Sequence, residues 1–257
     1  MDDLRAVEDE VFLILNQLRQ SPKVFIEELE SMKSHFQEKK YISPTGNFNI
    51  TTEEGVVAID QAIEFLKNQE PLNSFNRSEK LNHSASKLVK SFETVGDGTL
   101  KDNSMSLESR IKEFVDDYGS AGENISFGWE DPKQIIFQLL IDDGVSTKGN
   151  RANFFSKKFT EVGLATGLHR VFKFCCVFDF FGKQSEKEAE EILQNYEIPS
   201  KDWPEKAVSF VKFLEVKRRM GNRIARVTYE FKMADGSVQK IRKVFPNDEN
   251  EQKLRQD

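Results

Sequence analysis

The segment from Ser120 to Arg151 constrains the fold of this chain more than any other. It contains Gly-Glu-Asn-Ile-Ser at residues 122–126, where a carboxylate and an amide stand at the entrance to a short apolar run. Glu123 must be hydrated, paired or hydrogen-bonded, because a bare carboxylate is costly to bury. The small residues 120–122 predict a loop with a close backbone approach, in which Glu123 accepts backbone N–H groups.

A helix and two glycine-containing turns complete this segment. Pro132 is suited to the first turn of a helix, and apolar residues follow it at helical spacing. The apolar face of the helix consists of Ile135, Ile136, Leu139 and Leu140. Asp142-Asp143-Gly144 ends the helix, and Lys148-Gly149-Asn150-Arg151 closes the segment.

In this order the motifs resemble those of the CAP superfamily, which includes cysteine-rich secretory proteins, antigen 5 and pathogenesis-related group-1 proteins. Their shared module is called the SCP domain. Further stretches resemble the first helix, a later strand and the last strand of the family. They are Ile14–Arg19 with Pro22, Phe159–Gly163 and Cys176–Gly182. The resemblance covers about Val7 to Gly182 and implies an α-β-α sandwich with a short antiparallel sheet.

The residue pattern alone predicts the α+β class. Apolar residues at helical spacing predict further helices over Val7–Arg19, Val24–Met32, Thr52–Leu66, Ser78–Phe92 and Met105–Val115. Thr52 is the expected N-cap of its helix. The stretch Tyr41–Thr52 has no apolar period and predicts a loop, and residues 71–77 predict a connector.

Two segments with alternating apolar residues predict a pair of antiparallel strands. They are Phe159–Thr166 and Val171–Phe180, linked by Gly167–Arg170. Cys175 and Cys176 are neighbours on the second strand, so their side chains point to opposite faces and a disulfide between them would be strained. Both cysteines are therefore expected to be reduced packing residues.

The chain changes character after Gly182. Ser185–Tyr196 predicts a charged helix, and Val208–Phe245 predicts a three-stranded β-meander with a hairpin turn at Ala234-Asp235-Gly236. The expected organisation is a CAP-like domain at residues 1–183, a helix and linker at 184–206, and a basic meander with a loose tail at 207–257.

The resemblance also implies a cleft with two histidines and two acidic residues, which holds a divalent metal in some members. Glu123 matches one acidic position, and Asp142 or Asp143 matches the other. Asn150 stands where the family has one histidine, and Glu93 lies at a looser match to the second. Zinc prefers imidazole and thiolate, and calcium needs roughly six to eight oxygens. This degenerate cleft predicts no cofactor, no metal and no catalysis.

Other residues with chemical potential do not form a recognisable site. No Ser or Cys has an evident base partner for nucleophilic catalysis. The three histidines, His35, His83 and His169, are not at ligand spacing. Each is expected to be an ordinary surface or half-buried residue.

Cysteine use and the N-terminus predict an intracellular protein. Two reduced cysteines are typical of a reducing compartment. The acidic start, Met1-Asp2-Asp3-Leu4, lacks the basic and apolar regions of a secretory signal, and no apolar run reaches the roughly 18–20 residues of a membrane span. We expect a cytoplasmic protein without a transmembrane segment, in a cytoskeletal or ciliary setting.

The C-terminal segment is strongly basic. Between Lys206 and Val244 there are eleven Lys or Arg residues and three acids, although the whole chain carries a net charge of −6. A partner-binding face is predicted at Lys217, Arg218, Arg219, Arg223, Arg226, Lys240, Arg242 and Lys243. The alternative interpretation is that these cations only protect sheet edges from pairing with other chains.

An acidic protein surface, such as a tubulin lattice, is the simplest partner for this segment. The segment has no basic motif interleaved with aromatic residues, and the acidic remainder of the chain would be repelled by phosphate, so nucleic acid is not expected. No amphipathic helix or lipidation motif supports a membrane surface.

Three functional hypotheses follow, and the first is preferred. The first is a non-enzymatic structural or adaptor subunit of a large intracellular assembly. The second is a sterol or fatty-acid carrier, since some members of the family are associated with such ligands and 22 phenylalanines could line a cavity. The third is a hydrolase.

Overall fold

The computed structural model describes residues 2–43, 49–94, 106–115, 119–183, 204–219 and 222–245. The chain divides into two compact units, Met1–Lys183 and Gln184–Asp257. The charged helix predicted at Ser185–Tyr196 and the tail after Phe245 lie outside the described residues. In the described part of the chain, no helix combines the length and the apolar character needed to cross a membrane.

The first unit is mixed α and β. Its helices are α1 (Asp2–Gln20), α2 (Ile26–Met32), α3 (Val56–Asn68), α4 (Glu79–Thr94), α5 (Leu107–Phe114), α6 (Pro132–Ile141) and α7 (Gly149–Phe154). Its strands are β1 (Phe36–Gln37), β2 (Lys40–Ile42), β3 (Asn49–Thr51), β4 (Asn76–Arg77), β5 (Gly119–Phe127), β6 (Glu161–His169) and β7 (Lys173–Lys183). Short 3-10 turns, Pro22–Phe25 and Lys33–His35, flank α2.

A four-stranded sheet in the order β4-β6-β7-β5 forms the centre of this unit. Successive side chains of a strand face opposite sides, so β7 contributes to two cores. Cys176 and Phe178 pack with α1, α3 and α6, whereas Cys175 and Val177 pack with α4. The predicted α+β class is confirmed, and the assignment to the CAP fold stays a prediction.

The two cysteines lie on opposite faces of β7, are free and are fully buried. Burial raises the pKa of the Cys175 thiol to about 12 and that of Cys176 well above its usual value. A buried thiol with a raised pKa is unreactive. The prediction that both cysteines are reduced residues of the packed interior is confirmed, because both are free and buried.

Three local predictions near the N-terminal half are wrong. Part of the predicted loop Tyr41–Thr52 belongs to a small antiparallel sheet, β1-β2-β3. Helix α3 begins at Val56 after Gly55, which has φ 64°, and the Thr52 hydroxyl accepts the Gly55 N–H instead of capping the helix. The connector 71–77 includes β4, which pairs in parallel with β6. The strands β1 to β4 have two or three residues each, so no local period indicates them, and β4 pairs with a strand far away in sequence.

Two predictions around the central sheet also need correction. Residues 120–122 belong to β5 and do not form a loop. The close approach there is real: a Cβ on Gly122 would meet the Phe159 ring at 2.8 Å. The turn between β6 and β7 lies at Arg170–Phe172, because pairing continues to His169 and Lys173.

The second unit contains an antiparallel sheet in the order β10-β9-β8. Its strands are β8 (Ala207–Arg219), β9 (Asn222–Met233) and β10 (Val238–Phe245). The β9–β10 turn includes Gly236 with φ 84°, a conformation that favours glycine. The predicted three-stranded meander is present.

Candidate functional site

Asp142 joins the end of α6 to the start of α7. The residue adopts a left-handed conformation (φ 57°, ψ 43°) directly after the helix, and it is buried. Its carboxylate accepts the backbone N–H groups of Asn150 at 2.9 Å and Arg151 at 3.1 Å, and the Asn150 side-chain amide at 2.6 Å. Because the first N–H groups of a helix lack partners within it, this carboxylate stabilises α7.

Asp143 fastens a second segment to the same place. Its two oxygens accept the backbone N–H groups of Glu53 at 2.7 Å and Glu54 at 2.8 Å. The Glu54 carboxylate in turn accepts the Gly144 N–H at 2.8 Å and Lys148 Nζ at 2.5 Å. The bond from Lys148 lowers the pKa of Glu54. The segment before α3 and the turn after α6 therefore hold each other in place.

Arg151 connects the start of α7 to the end of α6 through its side chain. Its guanidinium donates to the carbonyl oxygens of Leu140 at 2.6 Å and Ile141 at 2.8 Å, which are at the end of α6. Burial is the main influence on Arg151 and lowers its pKa. The positive charge of Arg151 therefore serves the helix end and is not directed to solvent.

A cavity of about 280 Å³ lies beside this network. Aromatic residues supply much of its wall: Phe36, Tyr41, Trp129 and Phe137. Asp142, Asp143 and Asn150 also line it. Among the lining residues that the structure describes, the two aspartates are the only ones with a formal charge at neutral pH. The cavity thus combines an aromatic wall with an acidic rim.

Glu123 lies elsewhere. It is in the middle of β5 and pairs with Arg110 of α5, and the prediction that it accepts backbone N–H groups in a turn is wrong. Its neighbour Asn124 points to the other face of the sheet, where its amide donates to the Asn150 carbonyl oxygen at 2.9 Å. The alternation of β5 therefore separates Glu123 from Asp142 and Asn150.

Arg110 is the centre of a buried ionic cluster. Its guanidinium lies 3.1 Å from Asp179 Oδ1, and both side chains are completely buried. Ser84 donates its hydroxyl to Asp179 Oδ2 at 2.5 Å. Desolvation raises the pKa of Asp179 to about 7, and Arg110 and Ser84 only partly oppose that increase. One guanidinium faces two carboxyl groups. A proton on Asp179 would leave one positive and one negative charge in the cluster.

The five residues predicted for the degenerate cleft therefore do not form one group. Asp142 and Asn150 are bonded to each other, and Asp143 lies beside them on the cavity wall. Glu123 is on the opposite face of the sheet, and Glu93 is exposed near the end of α4. Within the described ranges, no three His, Cys, Asp or Glu residues are placed to hold a metal ion.

Sequence reasoning missed Arg110 and Asp179, although a signal was present. Arg110 shares the apolar face of its helix with Leu107 and Ile111, and Asp179 interrupts a run of buried residues on β7. Opposite charges at apolar positions predict a buried pair, because neither charge is tolerated alone. The two residues are separated by 69 positions, so only the fold shows that they meet.

The expectation for histidines is wrong at His169, which is buried at the end of β6. Its Nδ1 accepts the N–H groups of Val171 at 3.1 Å and Phe172 at 3.0 Å, and burial lowers its pKa. His169 therefore shapes the β6–β7 turn. The rings of His35 and His83 make edge contacts with Tyr41 and Phe114, respectively. Neither histidine is among the described residues that line the cavity.

The register of the second unit divides the predicted basic face between two sides of the sheet. Direct partners in neighbouring strands share a face. One face has the positions Lys217, Arg219, Arg226, Lys240 and Arg242. The other face has the positions Arg218, Arg223 and Lys243. The prediction that all eight lie on one face is wrong, because adjacent residues of a strand alternate.

Burial distinguishes these two faces. Tyr229 and Phe231, on the face of Arg223, are almost completely buried. Lys232, Lys240 and Arg242, on the opposite face, are exposed. Lys240 also pairs with Glu230 across β9 and β10. We call the face with Lys217, Arg219, Arg226, Lys240 and Arg242 the basic face.

Comparison with known proteins adds no relative: no family model, curated protein or solved structure matches the chain.

Proposed function

We propose that this protein is a non-catalytic structural or adaptor subunit that binds an acidic protein surface through the basic face of its second unit. The exposed cations Lys232, Lys240 and Arg242 on that face are the observation that carries the proposal. The first unit would be a CAP-type scaffold with a degenerate cleft. The proposed setting is a large cytoplasmic assembly, of cytoskeletal or ciliary type.

The contacts of the cleft residues support the non-catalytic part. Asp142 is occupied by three N–H donors, and Asp143 by two backbone N–H groups. Glu123 is paired with Arg110. These carboxylates therefore have structural roles, at helix ends and beside a buried cation.

The layout of the basic face supports the docking part. Arg242 lies diagonally opposite Arg226, whose direct partner on β10 is Val244, and Lys240 is two positions before Arg242 on the same strand. Two acids, Glu215 and Glu230, occur at positions on the same face, so the excess charge remains positive. A sheet surface with a net positive charge attracts a partner of the opposite sign and increases the rate of association.

Binding to defined acidic probes tests this proposal. The full chain is titrated with poly-L-glutamate and co-sedimented with purified microtubules, whose lattice is acidic, at low and moderate salt. We expect saturable binding to both, and a decrease of about tenfold in affinity when Arg226, Lys240 and Arg242 are all changed to Glu. Salt should weaken the binding, because the contacts are exposed charges.

The matched control changes three exposed lysines of the first unit to Glu. Lys23, Lys39 and Lys157 are exposed in the first unit, and their substitution gives the same change in net charge. We expect less than about a twofold effect from this variant. Equal losses in both variants, or no binding to either acidic probe, would refute the proposal. Tighter binding to duplex RNA or to anionic vesicles would identify a different class of partner.

The alternative of a sterol or fatty-acid carrier is not favoured by the cavity of the first unit. Its volume of about 280 Å³ is at or below the lower end for ligand pockets, and a sterol's fused rings need more room. A fatty-acid carboxylate would meet two aspartates, and like charges repel. Lipid extraction and mass spectrometry of the purified protein test this alternative directly.

A further inference from the structure

The cavity of the first unit has a composition that neither scaffolding nor docking requires. Its walls come from separate parts of the unit: the small sheet β1-β2-β3, the residues before α6, and α6 itself. Apolar residues such as Ile50 and Ile141 and four aromatic rings make most of the lining. A lining of this kind with a few convergent polar groups is typical of sites for small molecules.

The charge of the lining selects among ligands. Asp142 and Asp143 line the cavity, and two cations beside them, Lys148 and Arg151, already have bonded acceptors. Lys148 is bonded to Glu54 and to the Asp142 carbonyl oxygen, and Arg151 to the carbonyl oxygens that end α6. An anionic ligand would find no cation among the described lining residues. A cationic head group would find two carboxylates.

Both aspartates retain capacity to accept further hydrogen bonds. Asp142 Oδ1 accepts one donor, from the Asn150 amide, and each oxygen of Asp143 accepts one backbone N–H. A carboxylate oxygen has two lone pairs, so each of these oxygens can accept another N–H. Their present donors hold the carboxylates in a fixed orientation, which reduces the entropy cost of binding.

The aromatic rings favour the same kind of ligand. The face of an aromatic ring is electronegative and attracts ammonium groups, and aromatic cages bind organic cations for this reason. Trp and Tyr are effective at this, and Trp129 and Tyr41 both line the cavity. The volume of about 280 Å³ equals that of roughly nine water molecules in the liquid. A single ring with a short amine side chain is of this size.

We propose that this cavity binds a small organic cation, an amine carried on a compact apolar body. The ammonium group lies at the acidic rim, where Asp143 and Asp142 accept its N–H bonds. The apolar body packs against Phe137, Trp129 and Ile50. This activity is independent of docking through the basic face.

Three probes with the same ring and different head charges test the inference on the full chain. They are phenethylamine, phenethyl alcohol and hydrocinnamate, measured by calorimetry and by Trp fluorescence. We expect saturable binding of the amine, binding of the alcohol at least about tenfold weaker, and no saturable binding of the carboxylate. A carboxylate or alcohol that binds as tightly as the amine overturns the inference, and so does an amine that does not saturate in the millimolar range.

Two variants locate the site. Asp143→Asn removes the charge and also replaces one of the two oxygens that accept the Glu53 and Glu54 N–H groups. Amine affinity should decrease about tenfold, and alcohol affinity, which reports any change in cavity shape, should change less than twofold. Glu53→Gln is the matched control, because Glu53 is exposed, is next to the same network and does not line the cavity. Equal effects of the two variants on the amine overturn the assignment.

Ile50→Trp fills the cavity without removing a polar group. We expect this variant to abolish binding of both the amine and the alcohol, with the circular dichroism spectrum of the native protein retained. Retained amine binding in a folded Ile50→Trp protein places the site elsewhere and refutes the proposal. If this variant does not fold, the comparison of Asp143→Asn with Glu53→Gln remains decisive.

Discussion

Three arginines of the first unit and three cations of the second unit have different roles. In the first unit Arg19, Arg110 and Arg151 are at most 5 % exposed and bind fixed acceptors. In the second unit Lys232, Lys240 and Arg242 are exposed on one face of a sheet. Burial makes a charge dependent on its partner, whereas exposure leaves it available for binding. Residue type therefore does not indicate function until burial is known.

Removing the charge of Arg110 should have the largest effect. In Arg110→Met, Glu123 and Asp179 lose their shared cation, and we expect the free energy of unfolding of the first unit to decrease by about 3–5 kcal/mol. Hydrogen exchange of the β7 amides at increasing urea concentration measures this unit. Lys112→Ala, at an exposed position of the same helix, should cost less than about 0.5 kcal/mol. Similar losses in both variants would contradict the buried cluster.

The protonation of Asp179 should make the stability of the first unit depend on pH. Its pKa is raised to about 7 by burial, above the ordinary value of 3.8. Between these values the folded protein binds more protons than the unfolded chain, so its stability decreases as pH rises through 7. We expect a loss of roughly 2 kcal/mol between pH 5 and pH 7. Asp179→Asn cannot titrate and should show a flatter profile; an unchanged profile would exclude Asp179 as the source.

The carboxylate of Asp142 stabilises the first unit by accepting backbone N–H groups. Asp142→Ala should lower the free energy of unfolding by about 2 kcal/mol, because three donors lose their acceptor. Asp131 is the matched control, since it caps α6 through one bond, to Gln134 N at 2.9 Å. Asp131→Ala should cost about 1 kcal/mol or less. The same urea titration by hydrogen exchange compares both, and a larger cost at Asp131 would contradict the assigned role of Asp142.

The smallest effect on stability is expected in the second unit. Lys240 pairs with Glu230, and their side chains are 57 % and 31 % exposed. Lys240→Ala should therefore change the stability of β10 by less than about 0.5 kcal/mol. Hydrogen exchange of the β10 amides provides the measurement. A loss near that of Arg110→Met would mean that the basic face is structural and would weaken the docking proposal.

Local sequence patterns predicted the helices and strands better than they predicted the contacts between them. Helix α6 was predictable because Pro132 and four apolar residues at helical spacing lie within ten positions. The β6–β7 pair was predictable because the strands alternate and are joined by a short turn. The small sheet β1-β2-β3 was not, since its strands have two or three residues each and no period can be read from them.

The candidate site was predictable only in part. Asp142 and Asn150 are eight positions apart and meet through a helix end that the sequence already indicated. Glu123 was assigned to their group by resemblance alone, and the alternation of β5 places it on the other face. The pair Arg110 and Asp179, and the cavity with Trp129 and Tyr41, depend on chain packing over long separations.

The amino-acid sequence by itself determined the α+β class, most helices, the central antiparallel pair, the meander and the opposite orientation of two free thiols. Each of these follows from a period of a few residues, which the backbone geometry of helices and strands translates directly into structure. The tertiary structure decided which charges are buried together, which cations stay exposed, and where a cavity remains. Those outcomes depend on the free energies of contacts between residues that are distant in sequence, and a local period gives no information about such contacts.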